Sequence, residues 1–411
     1  MKPIKFLTGL FLASTLVFLM SCRKPESPAS VTQLKCEFQE NPLGIDRTNP
    51  LLQWKMEDDR RGAGQTAYQV IVSGSLENAE QEDGDVWDSG QVSSDQSVHV
   101  RYDGPDLKAT QKYFWRVRIW DQNDEVSEWS EPASWETGLM DETNWKANWI
   151  ARSAENPGRS AYMRKEFLLD DKNIEKARVY VTGLGNYVLF MNGERVGKDL
   201  LTPGWTHYPE RLEYQVYDVK DMLENGQNSA GAALGNMWWS GGLGWEGGQK
   251  YSEGPLKFLM QLQVDFEDGT SQTIVTDETW KWSDSPIWED HIYDGEKYDA
   301  NLDQPGWNKL GFDDSAWSTV EPADYEGMLT GPAAPALRYQ IDLKPVALNE
   351  PLEGEYAYDL GQNMVGWAKV KINAPKGDTI IFRFAELLHD DGTVAQENLR
   401  SADATDKIVS D

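Results

Sequence analysis

In Leu256-Lys257-Phe258-Leu259-Met260-Gln261-Leu262-Gln263-Val264-Asp265-Phe266 an apolar side chain stands at every second position. Side chains of a β-strand return to the same face with that period, so the segment reads as a strand with one face in a core. Glu267-Asp268-Gly269 follows and supplies a turn. Upstream, Val179 and Val181 alternate in the same way, as do Tyr187, Leu189 and Met191, and Asn192-Gly193 ends the second run. Asn-Gly between alternating segments is a strong hairpin signal, because both residues tolerate positive φ. Strands of this kind predict two packed sheets in a jelly-roll style over residues 160–340.

The pattern extends toward the amino terminus. Tyr113, Trp115, Val117 and Ile119 alternate with Phe114, Arg116 and Arg118, and Tyr68, Val70 and Val72 repeat the alternation. Pro50-Leu51-Leu52-Gln53-Trp54 precedes them and Ser127-Glu128-Trp129-Ser130 closes the set. Residues 32–140 therefore resemble a fibronectin type III sandwich, with an early core Trp and a W-S turn before the last strand. Residues 141–159, with Trp145 and Trp149, read as a linker. A third β region, 345–411, opens with Tyr358-Asp359-Leu360-Gly361-Gln362-Asn363 and holds expected strands at 367–372 and 379–384. Few strands fit in that length; half a sandwich has an apolar face and open edges without partners, which argues for a truncated domain. The chain as a whole reads as all-β, with almost no period-3.6 stretch.

Composition narrows the function classes. Among 411 residues, 68 acidic and 39 basic side chains give a formal charge of −29, a field that repels phosphate backbones and excludes nucleic acid as a partner. The 18 Trp, 16 Tyr and 12 Phe fit sheet cores first, and sugar-stacking surfaces second. Residues 1–21 read as a leader: Lys2 and Lys5 are basic, residues 6–20 apolar, and Ser21-Cys22 forms a lipobox-like cleavage context. The expectation is a signal peptide, lipidation of Cys22, a polar tether over residues 22–31, and a protein anchored in the bacterial cell envelope. Beside the lipidated Cys22 only Cys36 remains, which excludes a disulfide framework. Four scattered histidines, His99, His207, His291 and His389, give no metal spacing. Gly241-Gly242-Leu243-Gly244 lacks the Lys of a phosphate loop.

Three strings carry a family resemblance. Residues 187–219 read Y-x-L-x-x-N-G-x-x-V-G-x-x-x-L-T-P-G-W-T-x-Y-x-x-R-x-x-Y-x-x-Y-D-V. Residues 292–300 read I-Y-D-G-E-K-Y-D-A, followed by Gly306-Trp307 and by F-D-D-S-A-W at 312–317. The third region holds D-L-G-Q-N-M-V-G-W at 359–367 and E-N-L-R-S-A at 397–402. In this order they resemble the amino-terminal modules of bacterial α-L-rhamnosidases. The resemblance implies β modules ahead of an (α/α)6 barrel that performs inverting hydrolysis of terminal α-L-rhamnosyl bonds, with its acids near a run of the type D-C-P-x-R-x-E-R. No such run is present among residues 1–411. The third module would be the concanavalin-like domain of that family.

Candidate sites follow on two grounds. Asp290, Asp294, Glu296 and Asp299 form an acidic cluster; it reads first as turn chemistry around Gly295, with carboxylates accepting backbone amides, and as an interface with the barrel. The resemblance also implies, for some members, a rhamnose-binding second domain with a calcium ion on the sugar hydroxyls. On that basis Asp199 is a candidate calcium ligand, and Asn236, Trp205, Trp238, Trp239 and Trp245 are candidate carbohydrate-binding residues in a glycine-rich loop set. Lys198-Asp199 stands where such members have paired polar residues, a departure from the calcium pattern. Three classes remain open: the ancillary part of a rhamnosidase, a non-catalytic sugar-binding lipoprotein, and a structural spacer.

Overall fold

A computed structural model describes residues 28–153, 159–243, 251–252 and 254–411. The leader, Cys22 and Trp245 lie outside the described residues, as does most of the tether. Among the described residues no helix is long and apolar enough to cross a membrane. The described chain is all-β apart from short helical turns.

The first module is a sandwich of three strands on four. Ser30–Cys36, Leu51–Glu57 and Val100–Arg101 form one sheet; Trp87–Asp88, Gln65–Ser73, Lys112–Asp121 and Ala133–Glu136 form the other, in those orders. This three-plus-four division is the fibronectin type III arrangement that the sequence predicts. Lys112–Asp121 alternates strictly between buried and half-buried positions after its exposed first residue. Its inward Trp115, Val117 and Ile119 meet Trp54, Val70, Val72 and Trp135 in one core. The W-S turn has a defined job: the Ser127 and Ser130 hydroxyls accept the Ile119 and Val117 amides at 3.0 and 3.1 Å. Arg118 lies over the rings of Trp129 and Trp120, 4.6 and 5.4 Å from their centroids.

The second module packs two six-stranded sheets face to face. One is built on Ile174–Leu184 and Lys257–Phe266, antiparallel, with Val181 opposite Met260 and Val179 opposite Leu262. The other is built on Asn186–Met191, Gly226–Gly235 and Ala161–Leu169. Their inner faces interlock through Val179, Val181, Leu189, Met191, Phe258, Met260, Leu262 and Val264. Asn192-Gly193 turns the predicted hairpin, with φ of 51° and 88°.

Two details differ from the sequence reading. Leu259 and Gln261, expected on an outward face, are buried, because the connector covers that side. Gln261 accepts the Lys146 amide at 2.5 Å and donates to the Asn144 carbonyl at 3.1 Å. The connector is thus part of the second module, and its Ile150–Ala151 is a strand between Lys257–Phe266 and Glu321–Pro322.

The modules are joined by buried polar contacts. Glu136 of the first accepts two bonds from the Arg178 guanidinium, each 3.1 Å, and Lys176 approaches to 3.1 Å. Asp46 accepts from the Tyr214 hydroxyl at 2.6 Å and from the Gly331 amide at 2.7 Å.

The third region adds an Ala347–Leu352/Glu355–Asp359 hairpin and, further on, Thr379–Arg383 and Thr405–Val409. Thr405–Val409 runs parallel to Gly295–Asp299 and so extends a sheet of the second module. The expected strand at 367–372 is not formed. A strand needs a neighbour for its amides, and the described chain offers none there. Large apolar side chains are exposed through this region, Val346, Leu348, Val365, Trp367 and Ile381 among them.

Candidate functional site

The glycine-rich loop follows the strand Gly226–Gly235 and opens with Asn236, whose amide donates to Asp290 Oδ1 at 2.6 Å. That bond starts a single helical turn, Met237–Ser240, and Asn236 Oδ1 accepts from the Ser240 hydroxyl at 3.1 Å. Gly241 ends the turn where any Cβ would collide with the Met237 carbonyl. The turn presents Trp238 and Trp239, both half-buried, against Leu184, Tyr208 and Leu212. Tyr208 meets Trp239 edge-on at 5.6 Å and Tyr251 at 5.0 Å. Trp205 is 58% exposed, and its ring nitrogen donates to the Tyr251 hydroxyl at 3.1 Å.

The structure therefore gathers Trp205, Trp238 and Trp239 into one aromatic cluster, with Asn236 as the buried residue that sets the loop's direction. Tyr208 and Tyr251 complete it; Tyr208 stands within the 187–219 motif, whereas Tyr251 carries no local signal. Trp238 and Trp239 have a packing role here, and among the described tryptophans of the cluster Trp205 is the exposed one.

Beneath this cluster lies the acidic hairpin Ile287–His291/Gly295–Asp299, where Asp290 pairs with Glu296 across the strands. Three of the four acids singled out from the sequence accept backbone amides, Asp299 within its own turn and Asp290 and Asp294 from residues far along the chain. Asp290 accepts the Asn236 amide, Asp294 the Asp403 amide at 3.1 Å, and Asp299 the Asn301 amide at 3.0 Å. Gly295, at φ 96°, lets the hairpin pass under the Thr405 carbonyl. Glu296 differs: its amide donates to Asp406 Oδ1 at 2.8 Å, while its own carboxyl faces Asp290 and Asp406. Burial, then these two like charges, push the Glu296 carboxyl up to about 7, and burial also raises Asp290. The cluster thus holds one carboxyl that titrates near neutrality, and it is also the seam between the second module and the terminal strand. Asp406 was not singled out from the sequence, since its neighbours there are 110 residues away.

Asp199 lies apart from the aromatic cluster. Its carboxylate accepts from Arg338 Nε at 2.8 Å and bonds the Tyr217 hydroxyl, and its carbonyl accepts from Arg195 at 2.8 Å. A calcium ion needs six to eight oxygens and a local negative charge. Here the carboxylate already holds a guanidinium, and Lys198 adds another cation. The residues do not fit the ion. Among the described residues, no group of three His, Cys, Asp or Glu side chains is arranged to hold a metal.

Comparison with known proteins gives the same modular order. Residues 31–141 match a Rha78A-like N-terminal immunoglobulin domain, 172–341 an alpha-L-rhamnosidase N-terminal domain, and 350–411 a bacterial alpha-L-rhamnosidase concanavalin-like domain. An alpha-L-rhamnosidase of Formosa agariphila is 36% identical over 98% of this chain, which spans 45% of that relative's length. The solved structure of the Dictyoglumus thermophilum alpha-L-rhamnosidase is 40% identical with a TM-score of 0.84, over 93% of this chain and 44% of that one. The Streptomyces avermitilis enzyme, solved in complex with L-rhamnose, is 28% identical with a TM-score of 0.85, over 93% of this chain and 53% of that one. With three consecutive modules in the family's order and the fold of its solved members, the chain belongs to the α-L-rhamnosidase family and corresponds to its amino-terminal region.

Proposed function

We propose that these modules serve a longer α-L-rhamnosidase, which removes terminal α-L-rhamnose by inverting hydrolysis in a helical barrel outside residues 1–411. Inversion requires one carboxyl as acid and a second as base, roughly 6.5–9.5 Å apart with room for water between them. Burial and the neighbouring Asp290 and Asp406 raise Glu296 to about 7, and Asp290, Asp294 and Asp299 each hold a backbone amide, so the acids of this hairpin have a structural use. The observation that carries the reading is the exposed apolar surface of the concanavalin-like region. So many large apolar side chains exposed in one short region are unusual for a soluble domain, and a packed neighbour is the ordinary reason for them. The relatives are about twice as long as the matched stretch, so they carry chain for that role.

The same reading makes the protein an exported lipoprotein, held in the bacterial envelope through Cys22. The basic and apolar composition ahead of Cys22 supports it. Labelled palmitate incorporated by the wild type and not by Cys22→Ala would agree; equal labelling of both would remove the anchor.

Activity is tested with purified residues 23–411 and p-nitrophenyl α-L-rhamnoside. No release of nitrophenol is expected, and turnover at an ordinary enzymatic rate would overturn the reading. A reading frame continuing past codon 411 into a barrel with a D-C-P-x-R-x-E-R run would support it. The exposed Trp205 ring favours a second reading, carbohydrate binding by the isolated chain. Calorimetric heat with L-rhamnose, lost in Trp205→Ala, would establish it; no heat would leave packing as the cluster's role.

A further inference from the structure

Three strands meet where the third region joins the second module. Ile287–His291 pairs antiparallel with Gly295–Asp299, which pairs parallel with Thr405–Val409. The first register sets Asp290 opposite Glu296; in the second, one step back from the Lys297–Lys407 pair, Glu296 stands opposite Asp406. Residues directly opposite on neighbouring strands share a face, so three carboxyls from three strands form one cross-strand row. Adjacent positions take the other face: there Lys297 pairs with Glu289, and Lys407 lies beside Lys297. The cations of the seam are thus turned away from the row. Among the described residues none of the three acids forms an ion pair with a lysine or arginine.

The outer two acids are held as acceptors. Asp290 takes the Asn236 amide at 2.6 Å and the Ser160 hydroxyl at 3.3 Å, and Asp406 takes the Glu296 amide at 2.8 Å. The Glu296 carboxyl accepts no hydrogen bond among the described residues. The other titratable groups around it bring no positive charge. Tyr162 is pushed up to about 12 by burial, then by Asp303 and Glu296, and the Tyr298 hydroxyl donates to Asp303 at 2.6 Å. At the head of the hairpin His291 Nδ1 accepts the Tyr293 and Asp294 amides at 3.1 and 3.3 Å, which keeps the ring neutral. Like charges directly opposite one another destabilise a sheet, and burial removes the water that would screen them. The row therefore closes with a proton on its unbonded member.

We propose that this row is a pH-gated latch: a proton on Glu296 closes the seam between the second module and the third region, and its loss loosens the terminal strand. The strand is well placed for that role, because the Ala404 and Thr405 amides donate to the Tyr293 and Asp294 carbonyls at 2.9 and 3.0 Å just ahead of the row. When Thr405–Val409 leaves, Glu296 meets water and loses the Asp406 charge, so its carboxyl returns toward the ordinary value. The proton then favours the docked strand fully below about 4.5, and that advantage is gone once pH has risen through about 7. The third region is thus held in one orientation under acidic conditions and released from it toward alkaline ones. This inference concerns the seam alone and does not depend on the rhamnosidase reading.

The test is hydrogen–deuterium exchange of purified residues 23–411 across the acid-to-alkaline range, each amide scaled to its rate in an unstructured peptide at the same pH. Protection of amides 405–409 should fall about tenfold between the ordinary carboxylate range and neutrality and then level off, as one linked proton requires. Protection of Lys257–Phe266 should not change. In Glu296→Gln the terminal strand should stay protected throughout. In Asp406→Asn, whose side-chain oxygen can still accept the Glu296 amide, the fall should be smaller and shifted to lower pH. Three results would each overturn the latch: protection of 405–409 that is flat with pH in the wild type, a fall in Glu296→Gln equal to the wild type's, or a parallel fall across Lys257–Phe266. Melting at acidic pH certifies the fold of both variants. Should Glu296→Gln fail to fold, Asp406→Asn decides alone, and a fall identical to the wild type's would sink the proposal.

Discussion

Glu296 shows how a single side chain acquires behaviour that its sequence does not announce. In D-G-E the three residues look like one turn, yet Asp294 accepts a backbone amide while Glu296 is turned toward Asp290 and Asp406. A carboxyl whose folded-state value lies above its unfolded one stabilises the fold in its protonated form. That contribution is complete below about 4.5 and disappears as pH rises through about 7. Glu296→Gln, which mimics the neutral form, should therefore match the wild type near the lower value and exceed it above the higher one. Discounted for partial solvent screening, the gain is on the order of 1 kcal/mol at alkaline pH. Melting curves of the two proteins across pH check this. A constant difference at every pH would show that Glu296 is not the titrating group.

At the scale of elements, two junctions decide how the modules act on one another. The Gly295–Asp299 strand accepts the terminal strand Thr405–Val409 because Gly295 lacks a Cβ where the Thr405 carbonyl passes. Gly295→Ala should unpair that strand at a cost of about 1–3 kcal/mol, the range for strained backbone. The amides of 405–409 should then exchange faster with deuterium while the Lys257–Phe266 amides stay protected. Unchanged exchange would mean that the strand is held from elsewhere. The second junction is Glu136 with Arg178, side chains 1% and 10% exposed. Removing one partner of a buried pair leaves an uncompensated charge, typically 3–5 kcal/mol. Glu136→Gln should approach that loss and split the unfolding of the first two modules into separate calorimetric transitions. A single transition with an unaltered midpoint would show that the pair does not couple them.

For the molecule as a whole, the distribution of exposed apolar side chains is the strongest asymmetry. The first two modules close their cores around Trp54, Trp115, Trp135, Phe258 and Trp280, all 2% exposed or less. The concanavalin-like region presents Val365, Trp367, Leu387 and Leu388 to water. Such a surface binds hydrophobic dyes and draws copies of the chain together. The purified chain should raise anilinonaphthalene sulfonate fluorescence and sediment with a concentration-dependent mass, and Trp367→Ser with Val365→Ser should lower both. A dye-silent monomer would mean that this surface is covered in solution, and the case for a packed neighbour would lose its main support.

Much of the fold was legible from local pattern. Alternation of burial at Lys112–Asp121, the core-facing set along Lys257–Phe266 and the turn at Asn192-Gly193 depend on strand and turn backbone geometry, which neighbouring residues encode. The motif strings carried the family, and turn chemistry accounts for Asp299, whereas Asp290 and Asp294 take amides from Asn236 and Asp403, far along the chain. What escaped the sequence were choices of partner. Leu259 and Gln261 are buried because a connector folds over them, and 367–372 is no strand because nothing lies beside it. Asp199 reads locally as a metal ligand, yet its carboxylate goes to Arg338, 139 residues later. Periodicity fixes which face a side chain occupies. Which charge meets it there is set by the register of strands far apart in the chain, and that exists only once the sheets have formed.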